Sequence, residues 1–116
     1  GANMAEYLTN AFASFSGSSA WFDLYTTPED RRTVISSLQV ANDSGSAGNS
    51  IYASARVYDY SSGSSFNLIK EAEIPVCTAM DMLTKHVTLM GGDKLQVMQS
   101  STSGSSSFVM SGFEVS

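Results

Sequence analysis

The sequence predicts an all-β fold, an antiparallel β-sandwich of the immunoglobulin-like or jelly-roll kind with seven or eight short strands. Apolar and polar residues alternate with a period near two in several segments, whereas helical periodicity is scarce. Clusters of Ser, Gly, Asn and Asp separate these segments, and such residues favour turns because Gly allows positive φ and the others bond to nearby backbone. Short strands at this spacing favour two packed sheets over a closed barrel.

Length and composition indicate one folded domain. The chain has 116 residues, of which 42% are hydrophobic and 15% charged, which is too apolar for a disordered chain and enough for one continuous core. We expect a soluble protein without a membrane partner, because no apolar run approaches the roughly 20 residues of a spanning helix. We interpret Gly1-Ala2-Asn3 as a tag remnant, and assign residues 1–19 to this remnant plus an arm or first element and residues 20–116 to the sandwich.

The first element is compatible with two secondary structures. A helix would group Leu8, Ala11, Phe12 and Phe15 on one face, and a strand would group Ala11, Ala13 and Phe15. The segment from Thr78 to Lys85 is also ambiguous, either a helix capped by Thr78 or a connection between strands.

The remaining segments alternate as half-buried strands do. The core-facing residues that this alternation predicts are Val34, Ser36, Leu38 and Val40, then Ile51, Ala53, Ala55 and Val57, then Phe66 and Leu68, and then Leu95 and Val97. The chain closes with a nearly continuous β-prone run that contains Phe108, Val109, Met110 and Phe113. The Gly91-Gly92-Asp93 phrase predicts a tight reversal before the strand that begins at Lys94.

One predicted strand face has the composition of a protein interface. Opposite the core face of the strand that begins at Ile51 lie Tyr52, Arg56, Tyr58 and Tyr60, and Tyr and Arg are enriched at interface hot spots. These four residues are therefore the candidate partner interface. The alternative interpretation is that their side chains cover neighbouring strands through cross-strand pairs.

The residue inventory predicts a protein that is not an enzyme and holds neither a metal nor a cofactor. His86 is the single histidine, which leaves one candidate general base and no multi-histidine metal site. Asp81 and Asp93 flank it, but the sequence lacks a Gly-x-Ser-x-Gly nucleophile elbow. Glu71 and Glu73 share one parity, which we interpret as a solvated strand face rather than a glycosidase pair.

Charge and cysteine content argue against a nucleic-acid partner and exclude a disulfide within the chain. A net charge of -5 with six basic residues argues against a nucleic-acid partner, because phosphate binding requires clustered Lys and Arg. The one adjacent pair, Arg31 and Arg32, is predicted to lie in a solvated turn. Cys77 is the only cysteine, so no disulfide can form within the chain, and we predict it to be a small buried apolar residue.

Four strand phrases carry a family resemblance. They are Phe22–Pro28, Ser37–Asn42, Val87–Val97 and Ser111–Val115. In this order they resemble small β-sandwich virion proteins of tailed bacteriophages, a group that includes head-decoration and tail-associated modules. The resemblance covers roughly residues 20 to 115. The family's tight turn after Leu24-Tyr25 is replaced here by Pro28-Glu29-Asp30-Arg31-Arg32, so that loop is expected to make contacts particular to this chain.

The resemblance implies a non-enzymatic virion structural protein, most of all a capsid decoration or cement protein that binds assembled coat subunits. The alternative is a tail, neck or fibre-associated module, structural or binding a receptor or carbohydrate. Implied partners are phage coat or tail proteins and further copies of the chain itself. The implied location is the outer surface of the mature particle, after synthesis in the bacterial host cytoplasm.

Overall fold

The computed structural model describes residues 5–116, a range that contains nine β-strands and no helix. The strands are β1 (Glu6–Ser16), β2 (Phe22–Thr26), β3 (Arg32–Asn42), β4 (Ile51–Asp59), β5 (Ser64–Ile74), β6 (Ala79–Asp81), β7 (Val87–Leu89), β8 (Lys94–Gln99) and β9 (Ser105–Val115). The predicted all-β fold is confirmed. The interpretation of Gly1-Ala2-Asn3 concerns residues outside the described range. Within that range no helix is long and apolar enough to cross a membrane.

The strands form two antiparallel sheets that pack face to face. The β9 sheet has the order β1-β9-β3-β6, with β7 also paired to β3, and the β4 sheet has the order β2-β8-β4-β5. β6 and β7 pair with different parts of β3 and together act as one interrupted strand. The two sheets then have four positions each, and the strand order is that of a jelly roll. The sequence left the immunoglobulin-like and jelly-roll arrangements open, and the strand order shows that the sandwich is a jelly roll.

The core lies between the sheets and uses most of the predicted inward residues. Ile51, Ala53, Ala55, Leu95 and Val97 are fully buried, as predicted. Val57, on the same face of β4, is half-buried and packs against the core. Phe108 and Met110 from β9 are fully buried in the core.

Gln99 organises the serine-rich loop between β8 and β9. Its buried side-chain Nε2 lies 3.3 Å from the Ser101 carbonyl oxygen, 3.4 Å from that of Ser103 and 3.0 Å from that of Gly104. Its Oε1 accepts a hydrogen bond from the Ser106 hydroxyl at 2.6 Å. Because backbone groups must be paired when they are removed from water, this one amide gives the loop a defined path.

The prediction of which β3 residues face the core is wrong for the first half of the strand. Val34 and Ser36 were expected to face the core, but Thr33 and Ile35 are fully buried, Val34 is half-buried on the outer face and Ser36 is exposed. The second half of the strand follows the prediction.

A β-bulge explains this change of face. The pairing of β3 with β9 shifts between Ile35 and Ser37, so one extra residue is inserted in β3. An extra residue moves every following side chain to the other face. Leu38 and Val40 therefore face the core together with Ile35, although their sequence parity differs.

The two ambiguous segments are strands or turns. Residues 6–16 form β1, with Ala11, Ala13 and Phe15 packed against the core, so the helical interpretation is wrong. Thr78 to Lys85 contains β6 followed by bends, so it is a connection between strands.

Two burial predictions are wrong for local reasons. Phe66 is 59% exposed, although it pairs with the half-buried Val57, because this end of the β4–β5 hairpin is not covered by the opposite sheet. Leu68, further along β5, does pack against the core. Cys77 is exposed because it occupies a turn after Pro75, where its φ of 57° is needed to reverse the chain.

We expect Ile35→Ala to destabilise the protein much more than Val34→Ala. Loss of a fully buried Ile side chain should reduce the free energy of unfolding by about 3 kcal/mol, whereas the loss at Val34 should be about 1 kcal/mol or less. Urea denaturation of both variants measures the difference. Equal losses would contradict the bulge, since a regular strand cannot bury Ile35 and Leu38 together.

The bulge also depends on the glycine opposite it. Gly112 pairs with Ile35, and a side-chain Cβ at this position would overlap the Val34 carbonyl oxygen. We expect Gly112→Ala to cost about 2 to 3 kcal/mol, because backbone atoms must move. Gly45→Ala is the control. That glycine has a φ of 82° but open space around it, so it should cost about 1 kcal/mol from backbone strain alone.

Candidate interaction surfaces

The predicted interface residues Tyr52, Arg56, Tyr58 and Tyr60, here called the aromatic row, lie on the outer face of the β4 sheet. Tyr52 is 40% exposed and Tyr60 52% exposed, whereas Arg56 and Tyr58 are half-buried. The structure therefore places all four on one side of the molecule but gives them different surroundings.

Arg56 is held by residues from two other segments. Its guanidinium carbon lies 4.1 Å from the centre of the Trp21 ring, within the range of a cation–π contact. Its Nε donates a hydrogen bond of 2.7 Å to Gln96 Oε1, and Gln96 Nε2 donates one of 2.7 Å to Asp23 Oδ1. Arg56 is thus fixed in one orientation on the sheet.

Lys94 completes this network at the Tyr58 end. Its Nζ lies 3.0 Å from Asp23 Oδ2 and 5.7 Å from the centre of the Tyr58 ring. The Gln96 amide and then the Lys94 ammonium hold the pKa of Asp23 below its ordinary value of 3.8. Arg56 and Tyr58 therefore make the cross-strand contacts that the second interpretation of the row expects, while Tyr52 and Tyr60 offer the larger free areas.

Sequence analysis did not identify Trp21, Asp23, Gln96 or Lys94 as parts of this surface. They come from β2, β8 and the segment before β2, and they meet Arg56 through the pairing of β8 with both β2 and β4. The alternation in β8 could have placed Lys94 and Gln96 on an outer face, but it carries no information about which strand is the neighbour.

The Tyr60 end of the row borders an open pocket of about 630 Å³. The pocket is lined by Thr26, Thr27, Pro28, Glu29, Tyr58, Tyr60, Gly92 and Lys94. The predicted Gly91-Gly92-Asp93 reversal is confirmed, and its Gly92 lines the pocket. The Asp93 carboxylate accepts the backbone N–H of Met90 at 2.9 Å and that of Tyr60 at 3.0 Å, so the tyrosine is tied to the turn.

The predicted solvated arginine pair is wrong for one of its members. Arg31 forms an ion pair of 2.7 Å with Glu114, which is 8% exposed, and its guanidinium lies 4.2 Å from the centre of the Tyr7 ring. The Arg31 side chain is 30% exposed, because its guanidinium contacts Glu114 of β9 and the Tyr7 ring of β1. Arg32 is exposed.

A second surface lies on the outer face of the β9 sheet and was missed by sequence analysis. This apolar face consists of Leu8, Phe12, Val34, Val109 and Phe113. Leu8 is 94% exposed and Phe12 67% exposed. Leu8 pairs with Phe113, which pairs with Val34, and Phe12 pairs with Val109, so the five side chains adjoin across three strands.

The residues considered for catalysis are not brought together. His86 is exposed in the loop before β7. The Asp81 carboxylate accepts the backbone N–H groups of Leu38 at 3.3 Å and Leu83 at 2.9 Å, and Asp93 holds its turn as described. Among residues 5–116 no three His, Cys, Asp or Glu side chains are grouped as metal ligands would be.

Comparison by sequence gives no match, either to protein-family models or to curated proteins. Comparison by structure gives several matches. A chain from infectious bursal disease virus strain Gx has a TM-score of 0.59 at 12% identity, with 98% of this chain and 33% of that chain covered. The present chain therefore spans about a third of that viral chain.

Two further matches cover most of both chains. One is a chain of the acid-stable capsid of Helicobacter pylori bacteriophage KHP30, with a TM-score of 0.56, 11% identity and coverage of 98% and 99%. The other is from the disulfide-linked pili that form Bacillus endospore appendages, with a TM-score of 0.54, 9% identity and coverage of 97% and 89%. At such low identity the matches establish a shared β-sandwich fold, one found in viral capsids and in a pilus.

We expect Asp23 to contribute stability that depends on pH. Because its pKa is lowered in the folded protein, the stabilisation is present above the ordinary value of 3.8 and disappears as the pH falls through the folded-state pKa. The effect is small, since the Asp23 side chain is 45% exposed and solvent screens it. NMR titration should show the Asp23 pKa rising in Gln96→Ala and, separately, in Lys94→Met. An unchanged pKa in both variants would contradict the network.

Proposed function

We propose that this chain is a non-enzymatic structural subunit of a virus particle, and more specifically a phage capsid decoration or cement protein that binds assembled coat subunits. The observation that carries the proposal is the structural match to a chain of a phage capsid over 98% of this chain and 99% of that chain. The match to a pilus chain supports a role in repetitive assembly.

The aromatic row is the proposed contact with coat subunits. Trp21 and Gln96 hold Arg56 in place before binding, which lowers the cost of ordering that side chain at an interface. Tyr52 and Tyr60 add exposed rings on the same face. The pocket beside Tyr60 can receive a side chain of the coat protein, as hot-spot residues commonly pair with pockets.

Repetition on a lattice would supply the strength of attachment. Many modest contacts held together by one particle raise the effective affinity without a large single interface. The net charge of -5 suits a position on the outer surface, away from packaged nucleic acid, because phosphates repel an acidic protein.

A tail, neck or fibre module that binds a receptor or carbohydrate is the second candidate. One observation favours it. The pocket beside Tyr60 places two tyrosine rings near the charged groups of Glu29 and Lys94, and sites for small polar ligands commonly combine aromatic walls with a few polar groups.

The proposed coat contact is tested by the double variant Tyr52→Ser with Tyr60→Ser. We expect its affinity for coat particles assembled without this protein to fall about 30-fold or more, which is the hot-spot scale of about 2 kcal/mol. Its melting temperature should change little, since the two side chains are 40% and 52% exposed. The control is Phe66→Ser, which removes an exposed ring from β5 and should leave particle binding unchanged.

Three outcomes separate the candidates. Equal particle binding by the double variant and the unmodified protein would exclude the aromatic row as the contact. No binding of the unmodified protein to coat particles would contradict the decoration role. Retention on a glycan array that Tyr60→Ser abolishes would favour the carbohydrate-binding module. In a separate experiment, antibody labelling of intact particles would locate the protein on head or tail.

A further inference from the structure

The outer edge of β1 presents backbone groups that no strand within residues 5–116 pairs with. β1 pairs with β9 on one side only, in unbroken register from Glu6 with Val115 to Ser16 with Ser105. The Ala5 carbonyl accepts the Ser116 N–H at 3.0 Å, and the Gly17 N–H bonds to Gly104 at 2.9 Å. Odd-numbered residues therefore face β9, and by the alternation of an antiparallel ladder the even-numbered residues face the free edge.

The other sheet edges of the described chain are protected from pairing. β6 and β7 have three residues each, and β2 has five with a register shift. β5 has 11 residues but is interrupted by two register shifts, carries Lys70, Glu71 and Glu73, and has a φ of 51° at Glu71. Short length, irregularity and charge are the usual means of preventing edge-to-edge association.

β1 has none of these protections. It is 11 residues long and regular, it contains no proline, and Glu6 is its single charged residue. Leu8 and Phe12 project beside the edge and are 94% and 67% exposed. A long, regular, apolar edge is the feature that adds a strand from another chain.

We propose that β1 pairs antiparallel with β1 of a second copy of this chain, about a two-fold axis at Asn10. This register places Leu8 opposite Phe12 of the second copy, and Phe12 opposite its Leu8, so the two most exposed apolar side chains of the strand cover each other. It also places Glu6 opposite Ser14, so no like charges meet. The even-numbered residues from Glu6 to Ser14 exchange backbone hydrogen bonds across the axis.

The proposed pairing forms a closed dimer. A two-fold contact uses the same edge of both copies, and the protected edges at the far side of each sheet stop further addition. The product is a dimer with one continuous sheet rather than a filament. The dimer leaves the aromatic row free, and it does not depend on the proposed function, since it follows from the edge alone.

The first test compares the oligomeric state of three proteins by analytical ultracentrifugation over a range of concentrations. The unmodified chain should be dimeric. Asn10→Pro removes an N–H that faces the free edge, which an edge strand tolerates, and it should raise the dissociation constant of the dimer about tenfold or more. Phe66→Ser, which removes an exposed ring from the other sheet, should leave the dimer unchanged. Circular dichroism should show that all three remain folded.

The second test determines the register. In a Cys77→Ser background, Asn10→Cys should form a covalent dimer under mild oxidation, because residues on the two-fold axis face each other at a Cα separation of about 5.5 Å, within disulfide range. Ser14→Cys, which faces Glu6 of the second copy, should not form it.

Several results would overturn the proposal. They are a monomeric unmodified chain at all concentrations, a dimer that Asn10→Pro leaves intact, or efficient cross-linking of Ser14→Cys without Asn10→Cys. A monomeric chain that gains mass only with an added coat-protein strand would assign the edge to that partner instead. Particle binding is measured separately, so failure of the dimer and failure of the decoration role are distinguishable.

Discussion

The pairing of β3 with β9 is the interaction on which the rest of the fold depends. β9 is held on both sides, by β1 and by β3, and β3 also carries β6 and β7. A slip of one residue between β3 and β9 would turn Phe108 and Met110 out of the core and bring Val109 in. The bulge after Ile35 and the missing side chain at Gly112 fit each other, so the bulge specifies the register as well as the curvature of the sheet.

Polar side chains then determine where the loops go. Gln99 and Asn42 are both buried, and the Asn42 amide donates to the Asn49 carbonyl at 3.0 Å and the Ile74 carbonyl at 2.9 Å. Each side-chain amide binds backbone carbonyls from more than one position of the chain. The serine-rich loops therefore have defined paths without a hydrophobic core of their own. This arrangement leaves the outer faces of both sheets available for contacts with other molecules.

The predictable part of the structure is the part that alternation describes. Residues of β4 and β8 such as Ala53 and Leu95 follow a regular pattern and were placed correctly. Ile35 was not, because a bulge depends on the partner strand and has no signal within β3. The burial predicted for Phe66 and Cys77 was wrong for a related reason, since burial at a hairpin end or a turn is determined by what lies opposite in space. The aromatic row could be identified from its strand, but its contacts with Trp21 and Asp23 required the strand order.

The pairing of β1 with β9 has a consequence for folding. The hydrogen bond between Ala5 and Ser116 joins residues 111 positions apart, and closing so long a loop makes folding slow. On a ribosome β1 is made well before β9, so Ala11 and Phe15, which pack against the core in the folded protein, must remain in solvent without a partner strand for the synthesis of about a hundred residues, at roughly 5 to 20 residues per second. During those seconds the nascent chain exposes two unpaired edges on β1 instead of one, and many ribosomes on one message would hold such chains close together.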